Sequence, residues 1–177
     1  MWGWLKHFGR QSKPSAPAAW VSVGLLDRTA AVLRESRSRA ESHEGVVYWA
    51  GRRMGHECFI TTFIAPTAHT TYGSFDTTSA ANAKVIMYLA KSGLELIGQV
   101  HSHPGPYVDH SDGDDERALM PYEGFYSVVV PTYASQGMRP LTTCGVHVFE
   151  NSRFRRLSNA EILARFHIID EFADLRT

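Results

Sequence analysis

The sequence predicts one globular domain built from a β-sheet with helices on its faces, of either the α/β or the α+β class. Apolar and β-branched runs of strand length alternate along the chain with segments of helical periodicity. Apolar residues make up 44% of the chain and charged residues 20%, which is a globular composition. The length, 177 residues, suits a single domain.

The domain is expected to follow a short extension. Residues 1–20 include the stretch GRQSKPSAPAA, whose Ser, Pro and Ala content is typical of a flexible segment. Residues 21–177 then form the domain. From Val21 to about Arg39 the apolar residues are spaced for a helix with one buried stripe.

The next segments predict a hairpin, a loop and a helix. GVVYWAG (45–51) and ECFITTFIAP (57–66) are apolar runs of strand length, and the short polar segment between them predicts a hairpin. Residues 67–77 are expected to form a surface loop. Apolar residues at helical spacing over 78–92 predict a helix that ends at the glycine after it.

The second half of the chain predicts three more strands and two helices. LELIGQVHSH (94–103), FYSVVV (125–130) and TCGVHVFE (143–150) are the strands. DDERALM predicts a short helix before a proline. Ser158 is expected to begin a final amphipathic helix, whose apolar residues recur as far as Phe172.

The stretch HSHPGPYVDHSDGDD (101–115) concentrates side chains that bind metals. Residues i and i+2 of a strand face the same way, so His101 and His103 share one face. Two imidazoles so placed can reach one zinc ion at about 2.0–2.1 Å. Pro104 ends the strand, which places His103 at an open edge of the sheet.

A catalytic zinc needs a third protein ligand, and the spacing alone leaves five candidates. They are Asp109, His110, Asp112, Asp114 and Asp115. Ser111 and Asp114 also have the S-x-x-D spacing of a helix N-terminal capping box, which by itself explains both residues.

The motif resembles the signature of the JAMM/MPN (JAB-type) zinc metallopeptidases, in which His-x-His is followed by Ser-x-x-Asp. The residues in register are His101, His103, Pro104, Ser111 and Asp114. The resemblance implies an MPN/JAB-like fold, with a central mixed β-sheet flanked by helices, over most of 21–150. It also implies one zinc ion per chain, with Asp114 as the third ligand.

The resemblance assigns two further roles. The family has a glutamate ahead of an apolar strand that ends in glycine, and HEGVVYWAG supplies it as Glu44, in preference to Glu41 and Glu57. Glu44 would act as general base and then as general acid. The hydroxyl of Ser111 would donate a hydrogen bond to the developing oxyanion. Zinc would activate the attacking water.

The substrate expectation also comes from the resemblance, which is to stand-alone prokaryotic deubiquitinase-like members. Such enzymes cut after the C-terminal tail of ubiquitin or a ubiquitin-like protein. The partners implied are a ubiquitin-like protein or its conjugates, and conjugation enzymes from the same gene cluster, including antiphage defence systems.

Three alternatives stay open. The same site could release an amino acid from a sulfur-carrier protein. The chain could instead be a non-catalytic MPN scaffold, although such members typically lack the metal ligands. An unrelated metal hydrolase such as a phosphoesterase is the third, but it usually carries further His and Asp clusters.

Some residues outside the motif have two readings. Tyr72 and Phe75 could line a substrate groove, or they could pin their loop to the domain. His43 and His110 could support the metal ligands from behind. Eighteen basic residues balance eighteen acidic ones, so nucleic acid is not expected as a partner. Two cysteines and no apolar stretch of membrane-spanning length predict a cytoplasmic protein without a transmembrane segment.

Overall fold

The structure is a computed structural model, which describes residues 17–38 and 43–170. Within these ranges there are four α-helices: α1 (Val23–Ser38), α2 (Ser79–Ser92), α3 (Asp112–Glu116) and α4 (Asn159–Arg165). The strands are β1 (Ala18–Ser22), β2 (Val46–Met54), β3 (Glu57–Ile64), β4 (Ala68–Thr71), β5 (Ser74–Thr77), β6 (Glu95–Ser102), β7 (Tyr126–Val130), β8 (Gly145–Glu150), β9 (Arg153–Arg156) and β10 (Phe166–Ile169).

Eight of these strands form one sheet in the order β10-β1-β3-β2-β6-β7-β8-β9. The pairs β1–β10, β1–β3 and β6–β7 are parallel, and the other pairs are antiparallel. The sheet is therefore mixed, as the resemblance implied. The strands β4 and β5 form a separate antiparallel hairpin.

Helices cover both faces of this sheet. Leu26 and Leu33 of α1 lie in one apolar cluster with Trp49 of β2, whose indole N–H donates to Thr29. Neighbouring residues of a strand point to opposite faces. Tyr48 accordingly packs in a second cluster, with residues of α2. The prediction of a sheet flanked by helices is confirmed.

The hairpin and helix boundaries predicted in the middle of the chain are close to those observed. The strands β2 and β3 pair antiparallel around a tight turn. The helix α2 begins after Thr78, whose side chain accepts a hydrogen bond from the backbone N–H of Ala81. It ends at Gly93, which adopts a left-handed conformation with φ of 62° that glycine tolerates best.

The start of the domain was predicted too late in the chain. Ala18–Ser22 is strand β1, which lies between β10 and β3, so the sheet includes residues assigned to the flexible extension. Val21, expected in a helix, is a buried strand residue, and α1 begins at Val23. A short apolar run directly before a helix is easily assigned to the first turn of that helix, which explains the error. Residues 1–16 lie outside the described residues.

Three other predicted elements were also wrong. The segment 67–77 is not a loop but the β4–β5 hairpin, whose Thr-rich strands lack an apolar run. The last helix does not continue to Phe172: α4 ends at Arg165 and the chain then forms β10. The short helix is α3, which begins at Asp112 and ends before the predicted Ala-Leu-Met segment.

No helix in the described part of the chain is long and apolar enough to cross a membrane.

We predict that Gly145→Ala destabilises the fold, because β8 touches the loop that follows β6. A Cβ on Gly145 would lie 1.7 Å from the carbonyl oxygen of Val108. The backbone must move to relieve that overlap, and forced packing of this kind costs about 1–3 kcal/mol. Urea denaturation of both proteins measures the loss.

The matched control is Gly105→Ala in the same loop. A Cβ there would have no atom within 4 Å. We expect its free energy of unfolding to stay within about 0.5 kcal/mol of the wild type. Equal stability of the Gly145→Ala variant and the wild type would contradict the close contact.

Candidate metal centre

The two histidines of the motif stand at the end of the central strand β6. His101 pairs with Val46 of β2 on one side and with Val129 of β7 on the other, and its side chain is fully buried. His103 follows the strand and remains tied to β7, because its backbone N–H donates to the carbonyl of Val130. It is 8% exposed. The motif therefore lies partly within the sheet and partly at its edge.

Asp114 reaches the histidines from the first turn of α3. Ser111 caps this helix: its hydroxyl accepts from the backbone N–H of Asp114. In return, the Oδ2 atom of Asp114 accepts from the backbone N–H of Ser111 at 2.7 Å and from its hydroxyl at 2.8 Å. The predicted capping box is thus present. It anchors Oδ2, which also faces Nε2 of His103, and leaves Oδ1 directed to Nε2 of His101.

The three side chains form a compact donor set. The Nε2 atoms of His101 and His103 are 3.1 Å apart. The carboxylate oxygens of Asp114 lie 3.3 Å from Nε2 of His101 and 3.4 Å from Nε2 of His103. Bonds of about 2.0–2.2 Å from a tetrahedral zinc ion place its ligands about 3.3–3.6 Å apart. The observed spacing is close to that range, so the residues fit a metal ion.

A hydrogen bond to the backbone leaves one ring nitrogen of His103 able to bind a metal ion. Its Nδ1 atom lies 2.9 Å from the carbonyl oxygen of Tyr107, which can only accept, so Nδ1 carries the proton. The lone pair of the neutral ring is then on Nε2, the atom that faces His101 and Asp114. Support of this kind from a backbone carbonyl is usual behind metal-binding histidines.

The ionisation of the three groups reflects their burial. Burial lowers the pKa of His101 to about 4, against the opposing influence of Asp114. Burial also acts to lower the pKa of His103, but the hydrogen bond to Asp114 and the charge of Glu44 outweigh it and raise that pKa. Burial acts to raise the pKa of Asp114, and hydrogen bonds from the two histidines hold it well below its usual range instead.

Glu44 lies beside this cluster. Its side chain is 3% exposed, and its backbone N–H donates to the carbonyl of Thr71 in β4. The next residue, Gly45, exchanges two hydrogen bonds with Ser102, which continues the β2–β6 pairing toward His103. Burial raises the pKa of Glu44 to about 7, although the charge of His103 lowers it. A carboxylate with this pKa can exchange protons near neutral pH.

Tyr72 and Phe75 differ in exposure: one is at the surface and the other is buried. Phe75 is 1% exposed, and its ring centroid lies 5.1 Å from that of His101. It supports a histidine from behind and cannot line an open groove, so that prediction was wrong. Tyr72 is 69% exposed at the turn between β4 and β5, and its ring meets Tyr133 edge-on. Its part in substrate binding stays a prediction.

Residues 27–158 match the model of a family described as prokaryotic homologs of the JAB domain. This match spans more than half of the chain. The chain belongs to this family. The resemblance inferred from the motif is therefore confirmed, and the mixed sheet flanked by helices is the architecture of a JAB-like domain.

One curated relative bears on activity. A protein of Sinorhizobium fredii (strain NBRC 101917 / NGR234) named probable metalloprotease y4jG is 31% identical over 100 residues. The matched segment covers 54% of this chain and 61% of that protein. The match thus spans less than two thirds of the relative's length.

Two solved structures share the fold. A protein of Desulfitobacterium hafniense gives a TM-score of 0.63 at 14% identity, covering 86% of this chain and 94% of its own. A protein of Salinibacter ruber gives a TM-score of 0.54 at 17% identity, covering 79% and 88%. At these identities the likeness shows the fold alone.

The rival site residues that the structure describes do not join this group. Glu57 is exposed at the start of β3, and Glu41 lies outside the described residues. Asp109 pairs with Arg156 at 2.6 Å, and Asp115 with His110 at the same distance. His101, His103 and Asp114 are the only group of three potential ligands brought together in the described ranges.

A second set of histidines lies behind the ligands. The ring of His110 stacks on that of His147 at 3.9 Å, and its centroid is 5.9 Å from that of His101. The sequence suggested a supporting role for His110 but none for His147. Nothing local in the sequence indicates their contact, because 36 intervening residues separate positions 110 and 147.

We predict that His147 makes the stability of the metal-free protein depend on pH. Burial, together with the charges of His110 and Arg156, lowers its pKa to about 3 against the opposing charge of Asp109. The unfolded value is about 6.5. The folded state therefore binds fewer protons than the unfolded state between these values. The stabilising contribution is complete above pH 6.5 and is lost as the pH falls toward 3.

Replacing His147 by Phe keeps a ring in the stack and removes this titration. The free energy of unfolding, measured between pH 4 and 7 with a chelator present, should depend less steeply on pH in His147→Phe. The reduction is at most about 1.4 kcal/mol per pH unit. Identical slopes for the two proteins would contradict a buried neutral His147.

Proposed function

We propose that this JAB-like domain is a zinc-dependent peptidase or isopeptidase of the JAMM type. The observation that carries the proposal is the meeting of His101, His103 and Asp114 at ligand spacing beside the buried carboxyl of Glu44. Hydrolysis at a metal needs this combination of three ligands, an open fourth position and a nearby base.

The metal would be held by Nε2 of both histidines and by the carboxylate of Asp114. When bound, zinc supplies Lewis acidity, which lowers the pKa of water and polarises a carbonyl group. Two neutral imidazoles and one carboxylate leave such a cation with net positive charge. The ligands therefore hold the metal without cancelling its electrophilic character.

Glu44 would move the proton. It is buried beside the three side chains, and its raised pKa suits both acceptance and release of a proton near neutral pH. Its side chain would take a proton from the attacking water and deliver it to the leaving amine. Backbone bonds from Glu44 to Thr71 and from Gly45 to Ser102 hold it in place for both steps.

Ser111 would stabilise the oxyanion. Its hydroxyl donates to Asp114 in this structure. In the proposed reaction the hydroxyl turns to the developing negative charge, and the backbone N–H of Ser111 keeps its bond to Asp114. Loss of one such donor typically costs about 10²–10³ in rate.

The substrate we propose is the extended C-terminal tail of ubiquitin or a ubiquitin-like protein, free or in a conjugate. A cleft of about 370 Å³ lies between α1 and β4, and His43 beside Glu44 contributes to its lining. A tail could lie along β4 as an added strand, the mode in which extended peptides bind sheet edges. The exposed Tyr72 at the end of this hairpin would contact it.

The proposal extends to partners and location. Conjugation enzymes for a ubiquitin-like protein, encoded in the same gene cluster, are the expected partners. We place the enzyme in the cytoplasm. Cys58 and Cys144, which are free and buried thiols, accord with a reducing compartment.

The test compares the zinc-loaded Glu44→Gln variant with the zinc-loaded wild type in two assays. The substrates are ubiquitin with a fluorogenic amide at its C-terminus and a sulfur carrier extended by one amino acid. We expect the variant to lose about 10²–10⁴ in kcat while it keeps its zinc, because proton transfer contributes that much. Which substrate the wild type cleaves distinguishes the two enzymatic functions.

The matched control is Glu57→Gln, the rival glutamate exposed on β3, which should retain the wild-type rate. A Glu44→Gln variant as fast as the wild type would remove Glu44 from the mechanism. Failure of the zinc-loaded wild type on both substrates would reject the proposed substrate class.

A further inference from the structure

A row of buried polar side chains crosses the sheet behind the metal ligands. Gln99 of β6 pairs in register with Ser127 of β7, which pairs with His147 of β8. All three are at most 4% exposed. Buried polar groups in the middle of a sheet are costly unless they are bonded, so a partner for this row is expected.

His110 supplies that partner from the loop before α3. Its Nε2 atom lies 2.9 Å from the hydroxyl of Ser127, and its Nδ1 atom lies 2.6 Å from Oδ1 of Asp115. The ring of His110 stacks on that of His147. Its centroid lies 4.8 Å from that of the Phe154 ring, in an edge-on contact. The imidazole of His110 thus hydrogen-bonds to the sheet through one nitrogen and to α3 through the other.

The direction of these bonds follows from the groups at their ends. The amide nitrogen of Gln99 donates to the oxygen of Ser127 at 3.2 Å. The hydroxyl proton of Ser127 is then free to go to Nε2 of His110, which makes Nδ1 the protonated nitrogen. That N–H donates to the carboxylate of Asp115, which can only accept. The hydrogen bonds therefore run without a break from Gln99 of β6 to Asp115 of α3.

Both ends of this series of hydrogen bonds adjoin the proposed metal ligands. Gln99 lies two residues before His101 on the same face of β6, and Asp115 follows Asp114 in α3. The helix α3 has five residues, and Asp114 is its one buried side chain. It has no apolar residue that would hold it against the sheet. The bond from His110 to Asp115 is thus a direct tie between α3 and the sheet that does not involve the metal.

We propose that His110 is a positioning residue that clamps α3 to the sheet and so holds Asp114 at the metal centre before the metal binds. This inference rests on the metal site of the proposed function. Groups behind metal ligands that orient them typically contribute a factor of about 10–100 to metal affinity. The clamp predicts an effect of that size from a residue that touches neither metal nor substrate.

The main variant is His110→Phe, which keeps the stacked ring and removes both hydrogen bonds. The carboxylate of Asp115 is about half exposed, so water replaces its lost donor, and Ser127 retains its bond to Gln99. We expect the dissociation constant for zinc, measured by competition with a chromogenic chelator, to rise about 10–100-fold. Thermal unfolding of the metal-free proteins verifies that the variant is folded.

The matched control is His147→Phe. It changes the other ring of the same stack but cuts no bond between the sheet and α3. Its zinc dissociation constant should stay within about threefold of the wild type. Equal weakening in both variants would mean that packing of the histidine stack, rather than the clamp, supports the site, and would overturn the inference.

A double-mutant cycle separates the clamp from a general structural role. Asp115→Ala should weaken zinc binding as much as His110→Phe, and the double variant should bind zinc no more weakly, because each change breaks the bond from His110 to Asp115. Asp112→Ala, which removes an exposed carboxylate of the same helix turn, controls for the lost charge. Additive losses would contradict the clamp.

The remaining outcomes are distinguishable. Unchanged zinc affinity in His110→Phe overturns the clamp and leaves the metal centre intact. If that variant does not fold, Asp115→Ala, at an exposed position, decides the question in the same way. No zinc binding by the wild type overturns the metal centre of the proposed function, and the clamp with it.

Discussion

The burial of a carboxylate between two imidazoles is the constraint on which the rest of the site depends. Asp114 is 3% exposed, and a charge so deep in a protein must be compensated. Ser111 binds one of its oxygens through a backbone N–H and a hydroxyl. The same oxygen lies 3.4 Å from Nε2 of His103, and the other lies 3.3 Å from Nε2 of His101. A divalent cation is the compensation that this donor set suits best.

The fold brings these groups together by joining distant segments at one end of the sheet. The pairing of β2 with β6 sets Glu44 beside His103, and the pairing of β6 with β7 fixes the strand that carries His101. The β4–β5 hairpin closes one side through its bond to Glu44, and Phe75 packs under His101. The site is therefore built on rigid elements, which is the arrangement that precise chemistry requires.

The sequence predicted most of the central strands from apolar runs, and the motif resemblance predicted the group of three side chains that the structure brings together. Apolar runs identify buried strands, and the fixed spacing of His-x-His and Ser-x-x-Asp identifies the motif. Prediction from the sequence failed where the structure depends on contacts between residues that are distant along the chain. The hairpin over 67–77 has no apolar run, and β10 repeats the helical spacing of α4. His110 meets Ser127 and His147 only after folding, so the sequence suggested a supporting role for His110 but could not identify its partners.

The most direct test of a metal centre is zinc per chain, by elemental analysis, in the wild type and in His103→Ala. The account predicts about one zinc in the wild type and almost none in the variant. His56→Ala, which removes an exposed histidine outside the site, should keep its zinc. A wild type without zinc after metal is offered at neutral pH, or a His103→Ala variant that retains it, would contradict the metal centre.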